Sequence, residues 1–221
     1  MIRIMKLSDI PIEDILCRDI QKETDIGEAV DDIINEVRTR GDAALFDFTN
    51  RYDRVSIPSI EVSKEEIEAS RQRIEPEFLE TLELAATNIR SFHIHQLHEN
   101  FMLTTPEGAV MGQRYQPIAK VGLYVPGGTA SYPSTVLMDA IPARIAGVQE
   151  LMMVSPPGRD GNIPDAILAA ASVAGVDRVF RVGGAQAIAA LAYGTQTIPS
   201  VDKIVGPGNA YVAVAKRKVF G

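Results

Sequence analysis

Val121-Gly-Leu-Tyr-Val-Pro-Gly-Gly128 is a short apolar run that breaks on a proline and paired glycines, and the pattern returns three times. Leu151-Met-Met-Val154 runs into Ser-Pro-Pro-Gly158, Arg178-Val-Phe-Arg-Val182 into Gly183-Gly184, and Lys203-Ile-Val205 into Gly206-Pro-Gly-Asn209. Helical stretches separate the runs. Ser134 to Ala146 carries Val136, Met138, Ile141 and Ile145 at helical spacing, stops at Gly147, and holds Pro142 as a kink or tighter turn. Pro164 to Ala174 opens on a proline suited to a first helical turn and closes on Gly175. Ala185 to Tyr193 closes on Gly194, and a last segment behind Asn209 ends in Lys216-Arg-Lys218. Strand, loop and helix repeated four times predicts an α/β fold, a parallel sheet with helices on both faces. Right-handed crossovers then bring all four strand-to-helix loops to one edge of the sheet.

That edge is where open parallel sheets bind ligands, because backbone amides at helix N-termini favour phosphates. Three of its loops are glycine-rich: PGG, GGAQ and GPGN. One such loop is often only a tight turn, and neither a G-x-G-x-x-G fingerprint nor a Walker lysine motif occurs. Three loops on one edge point instead to a nucleotide-type site.

Outward from this region the composition changes sharply. Residues 1–100 hold 22 acids, 12 bases and two of the 17 glycines; residues 101–221 hold 7 acids, 10 bases and ten of the 13 prolines. A mainly helical first part is expected. Asp25-Ile-Gly-Glu28 has capping-box spacing, with Val30, Ile33, Ile34 and Val37 on one face behind it and Gly41 as the stop. Asp42 starts a second helix with Leu45, Phe48 and Tyr52 on one side. Ser63-Lys-Glu-Glu66 repeats the capping-box spacing, and a long helix is expected from about Pro76 to Leu97 with Leu82, Ala85, Ile89 and Phe92 facing inward.

Net charge of −7 and a pI near 5.0 argue against nucleic-acid or anionic-membrane partners. The single cysteine, Cys17, fits a reducing, cytoplasmic compartment. MIRIMKLSDIPIEDI is charged throughout and reads as no signal peptide, and no apolar stretch is long enough to span a membrane. His93, His95 and His98 tempt a metal reading. On a helix, however, His93 and His95 point about 200° apart, and no cysteine or placed carboxylate completes a ligand set. The histidines are expected to be structural.

Several motifs, in order and at matching spacing, resemble histidinol dehydrogenases. They are Val121–Gly128 above, Tyr132-Pro-Ser-Thr-Val-Leu-Met138, Pro142-Ala-Arg-Ile-Ala-Gly147, Val182-Gly-Gly-Ala-Gln-Ala-Ile-Ala-Ala-Leu-Ala192 and Asp202-Lys-Ile-Val-Gly-Pro-Gly-Asn209. The match runs from about Gly112 to Val219, and Val37-Arg-Thr-Arg-Gly-Asp-Ala-Ala-Leu45 belongs with it.

The resemblance implies a zinc-containing homodimer that oxidises L-histidinol through L-histidinaldehyde to L-histidine while reducing two NAD. It implies a Rossmann-like NAD-binding domain over 119–221, preceded by a mainly helical region over 1–118 that belongs to a larger domain completed by later chain. Carried over by motif, the NAD contacts are Tyr124, Gln186 and Asn209, supported by Pro126, Gly127, Gly128, Gly183, Gly184, Gly206 and Gly208. Packing for Tyr124 and local capping for Gln186 and Asn209 stay open as alternatives. The family's zinc ligands and its Glu-His acid/base pair have no counterpart in the matched region. The expectation is a nucleotide-binding half with no catalytic or metal residues, inactive alone. The alternative is a non-catalytic nucleotide- or phosphate-binding module.

Overall fold

The structure, a computed structural model, describes residues 11–12, 20–127 and 131–220. Cys17 and Gly128 lie outside them, as does all but Pro11 and Ile12 of the amino-terminal stretch read above for a leader.

Four parallel strands make up most of one sheet: β4 (Lys120–Tyr124), β5 (Glu150–Ser155), β6 (Arg178–Arg181) and β7 (Lys203–Val205). A two-residue strand, β1 (Glu61–Val62), pairs antiparallel with β6, so the full order is β1-β6-β5-β4-β7. The helices between the parallel strands are α5 (Pro133–Ile145), α6 (Asp165–Ala174) and α7 (Gly184–Tyr193), and α8 (Ala210–Lys218) follows β7. Strand-loop-helix repeats on a parallel sheet are therefore present as expected.

Residues ahead of the sheet cover its faces. Helix α1 (Ile20–Arg40) and α2 (Asp42–Phe48) lie with α7 and α8 on one face, while α3 (Lys64–Arg73) and α4 (Pro76–His93) join α5 and α6 on the other. Alternation along β5 shows the two layers. Met152 and Val154 enter the core with Val30, Val37 and Leu45, whereas Leu151 and Met153 enter the one with Ile67, Leu82 and Ile141. A strand buried on both faces reads as continuously apolar, which is why its sequence shows no alternation of polarity. Residues on either side of position 118 share both cores.

An ion-pair group ties β1 and α3 to β6. Arg181 is buried, and its guanidinium donates to both Glu66 carboxylate oxygens (2.7 and 2.5 Å) and to the Glu61 carbonyl (2.8 Å). Arg178 pairs with the Glu61 carboxylate at 2.7 and 2.8 Å. Ser63 caps α3 as expected by accepting from the Glu66 N–H at 3.1 Å, but the Glu66 carboxylate is spent on Arg181.

Several expectations are corrected. Helix α1 is already running at Asp25, so that spacing marks no helix start. The stretch after Phe48 is a single π-helical turn, Thr49–Asp53, and Tyr52 on it is exposed although it stacks on Phe48 at 5.6 Å. Helix α4 gives way to a 3₁₀ turn at Ile94–Gln96, and Phe92 is 65% exposed rather than inward. Met138 is likewise exposed, while Val136 and Ile141 on the same helix are buried. Pro164 is the residue before α6, not its first turn, and α5 continues through Pro142. A hairpin, β2 (Phe101–Thr104) with β3 (Val110–Gln113), lies in the stretch read as helical, and it has both faces exposed. With neither face buried, no polarity alternation announces it.

Candidate functional site

From β4 the chain steps outward twice, to β5 and β6, then returns to the far side of β4 to lay down β7. Strand order reverses between β4 and β7, the position where open α/β sheets part their loops and admit ligands. A cleft of about 560 Å³ lies along the carboxyl ends of these strands, and all four loops reach it. The end of β4 and its loop contribute Tyr124, Pro126 and Gly127, the β5 loop Pro156 and Pro157, the first turn of α7 behind the β6 loop Gly184 and Gln186, and the β7 loop Asn209. A second hollow, about 570 Å³, lies against α5 and beside β4 and β7, at Val121, Lys203 and Val205. None of the expected site residues lines it.

Hydrogen bonds lock the loops together. Tyr124 is buried at the end of β4, and its hydroxyl oxygen accepts from the Gly184 N–H at 3.1 Å, at the start of α7. Gly184 has φ +66, and a Cβ there would come within 2.6 Å of Gln186 Oε1, so this corner requires glycine. Gly206 has φ +108, and a Cβ on it would meet the Tyr124 carbonyl oxygen at 2.1 Å. The β7 loop can therefore approach β4 only through glycine. Lys216 on α8 holds the same loop by donating to the Gly206 carbonyl at 2.5 Å.

The chemistry of the lining is specific. Burial first, and the Asp53 charge besides, push the Tyr124 phenol above its ordinary range, while the Gly184 N–H opposes the shift. Tyr124 is a neutral phenol at pH 7, as an ordinary tyrosine is, with its O–H proton as the donor it can offer. Gln186 is 1% exposed, and its Oε1 is sealed from water with no partner. Asn209 caps α8 by accepting from the Val212 N–H at 3.1 Å through Oδ1, which leaves its Nδ2 amide as a donor on the cleft. The amide-bearing starts of α7 and α8 meet at the same edge.

Sequence reasoning missed one wall. Ala29 and Ile33 of α1, with Tyr52 and Asp53 of the π turn, close the cleft opposite the loops. Burial pushes the Asp53 carboxyl up to about 6, and its Oδ2 has no hydrogen-bond partner. Its signal in the sequence was slight: an acid beside an aromatic in an otherwise acidic helical stretch.

The histidines stand elsewhere. His93 ends α4 and shares a hydrogen bond with Gln96 Oε1 at 2.6 Å, His95 is exposed on the 3₁₀ turn, and His98 stacks on Tyr115. His98 follows the turn, so it shares no helix face with His95. Among the described residues, no three His, Cys, Asp or Glu side chains are grouped to hold a metal ion. These residues do not fit a zinc site. No described helix is long and apolar enough to cross a membrane.

The sequence profile of histidinol dehydrogenases matches residues 16–221. The chain belongs to the histidinol dehydrogenase family. It is 54% identical over 193 residues to the histidinol dehydrogenase of Geobacillus kaustophilus, covering 87% of this chain and 46% of that one. It is 50% identical over 215 residues to the Listeria monocytogenes enzyme, covering 97% and 49%. The crystal structure of histidinol dehydrogenase from Elizabethkingia anophelis superposes with a TM-score of 0.84 at 36% identity, covering 92% of this chain and 46% of that chain. The chain spans about half the length of the curated relatives it matches.

Proposed function

We propose that this chain binds NAD in the cleft at the carboxyl ends of β4–β7. We further propose that it serves the NAD-dependent oxidation of L-histidinol through L-histidinaldehyde to L-histidine, in a zinc-containing homodimer. The convergence of all four strand-to-helix loops on one cleft, at the reversal of strand order, carries the reading. Membership of the histidinol dehydrogenase family supports the substrate and the reaction class.

When bound, NAD supplies the hydride acceptor. The chain's own residues hold and orient it. The starts of α7 and α8 offer backbone amides to the pyrophosphate. Tyr124 is protonated at pH 7 as any phenol is, and burial only moves it further from ionising, so it donates to an oxygen of the dinucleotide. Gln186 lines the cleft with its Oε1 unpartnered, so a turn of the side chain toward a ligand N–H or O–H gives that oxygen the bond it lacks. Asn209 fixes the start of α8 through Oδ1 and turns Nδ2 to the ligand. Pro126, Pro156 and Pro157 give the cleft an apolar wall that excludes water from the bound ring. No metal step is assigned to these residues.

Calorimetric titration of NAD into the 221-residue chain tests the reading. Saturable 1:1 binding, competed by ADP, is expected. Absence of NAD binding by a folded chain would overturn the reading, and equal affinity for free pyrophosphate would favour a phosphate-binding module.

A further inference from the structure

Asp53 introduces a negative charge into a cleft otherwise suited to a polyanion. The backbone that carries it is unusual. It ends the π-helical turn Thr49–Asp53, and the next residue, Arg54, takes the left-handed conformation at φ 59, the one non-glycine residue with positive φ among those described. Such conformations cost energy in a non-glycine residue and persist where surrounding structure imposes them, often at functional sites. This turn places Asp53 on the cleft wall close enough to Tyr124 for its charge to act on the phenol.

Two residues that line the cleft each carry a buried acceptor with no donor, Asp53 Oδ2 and Gln186 Oε1, which a ligand reaches by a turn of the side chain. A buried acceptor left unpartnered costs free energy, and burial alone drives Asp53 toward its neutral form. Phosphates are pure acceptors and would make this worse. A vicinal diol offers two O–H donors side by side, which one carboxylate can take together.

We propose that Asp53 accepts a ribose cis-diol of the bound nucleotide, and that it sets where along the cleft a ribose, rather than a phosphate, must lie. The acid so used comes from a helical turn ahead of the sheet, not from the sheet's own strand ends. The proposal rests on the NAD reading above. Either ribose of a dinucleotide has the required diol, so the test separates the two.

Wild-type chain, Asp53→Asn and Asp53→Ser are titrated with NAD, ADP and nicotinamide mononucleotide, with melting and circular dichroism as controls for folding. The Kd for NAD is expected to rise about tenfold in both variants, the loss of a hydrogen bond to a charged group. The half-ligand that supplies the diol should lose the same factor, and the other should be unchanged. The sign is diagnostic. A carboxylate that merely sat near the phosphates would repel them, so neutralising it would tighten NAD. Tighter or unchanged NAD binding in either folded variant overturns the proposal and leaves the NAD reading standing. Absence of NAD binding by the wild type overturns both. Should neither variant fold, the wild type carries the test through NAD lacking its ribose hydroxyls at either end: a tenfold weaker complex at one end supports the proposal, and equal affinity at both ends overturns it.

Discussion

Asn209→Asp separates two demands placed on one side chain. Asn209 Oδ1 accepts the Val212 N–H at 3.1 Å, and an aspartate oxygen can make the same bond, since the two residues are nearly equal as N-caps. The new charge sits at the positive end of α8, which favours it by about 0.3–1 kcal/mol. Stability should therefore be unchanged or slightly raised. Ligand binding should respond in the opposite direction. The substitution removes the Nδ2 donor and sets a carboxylate against a diphosphate, for a loss of about 1.5–3 kcal/mol, or roughly 10- to 150-fold in Kd. Asn209→Ser keeps a capping oxygen without adding charge, but its hydroxyl is too short to replace Nδ2 on the cleft, and NAD should weaken roughly tenfold. Asn209→Ala loses cap and donor together and should also cost about 1 kcal/mol of stability. Urea unfolding followed by circular dichroism gives the first quantity and NAD titration the second. If Asn209→Asp binds NAD as the wild type does, Asn209 is a cap and nothing more, and it leaves the site.

Tyr124→Phe removes the acceptor for the Gly184 N–H, and it should cost about 1 kcal/mol of stability and weaken NAD, both read in the same two assays. Glu66→Gln leaves the buried Arg181 guanidinium without its counter-charge; a loss of about 3 kcal/mol in urea unfolding is expected, and a loss under about 1 kcal/mol would class the pair with surface ion pairs. Gly206→Ala forces a Cβ onto the Tyr124 carbonyl, so β7 must leave β4; melting should show a loss of about 3 kcal/mol or more. Asp139 on α5 is pushed up to about 6 by burial, against the opposing pull of Lys216. Between pH 4 and 6 the folded chain then holds a proton that the unfolded chain, near 4, has released, so stability from this group falls as pH rises through that window. Asp139→Asn should match the wild type in melting temperature near pH 4 and exceed it increasingly up to pH 7; a pH-independent difference would refute this.

The parallel sheet and the edge that carries the cleft were legible because their signals are local. Four apolar runs, each ending at a glycine or proline break, need only chain connectivity and right-handed crossovers to become one sheet edge. The start of α3 at Ser63 and the cap at Asn209 were legible for the same reason, since each satisfies amides within three residues of itself. Asp25 failed by this logic. It had the spacing of a cap, but α1 begins earlier, and spacing cannot report where a helix gains its packing.

Local chemistry therefore determined the strands and most helix ends, whereas Tyr124, Gln186 and Asn209 were singled out only by the resemblance of their motifs to a known family. Tertiary structure alone decided what faces them. Asp53 lies 71 positions before Tyr124 in the chain, and its place on the cleft wall follows from α1 and α2 packing across the sheet face. Its partnerless oxygen is equally invisible in sequence, because burial depends on every element that closes over a group. Phe92 and the β2–β3 hairpin show the converse. Their apolar residues fit a core by composition but stay exposed, because apolar character is a property of the side chain and burial is a property of its neighbours.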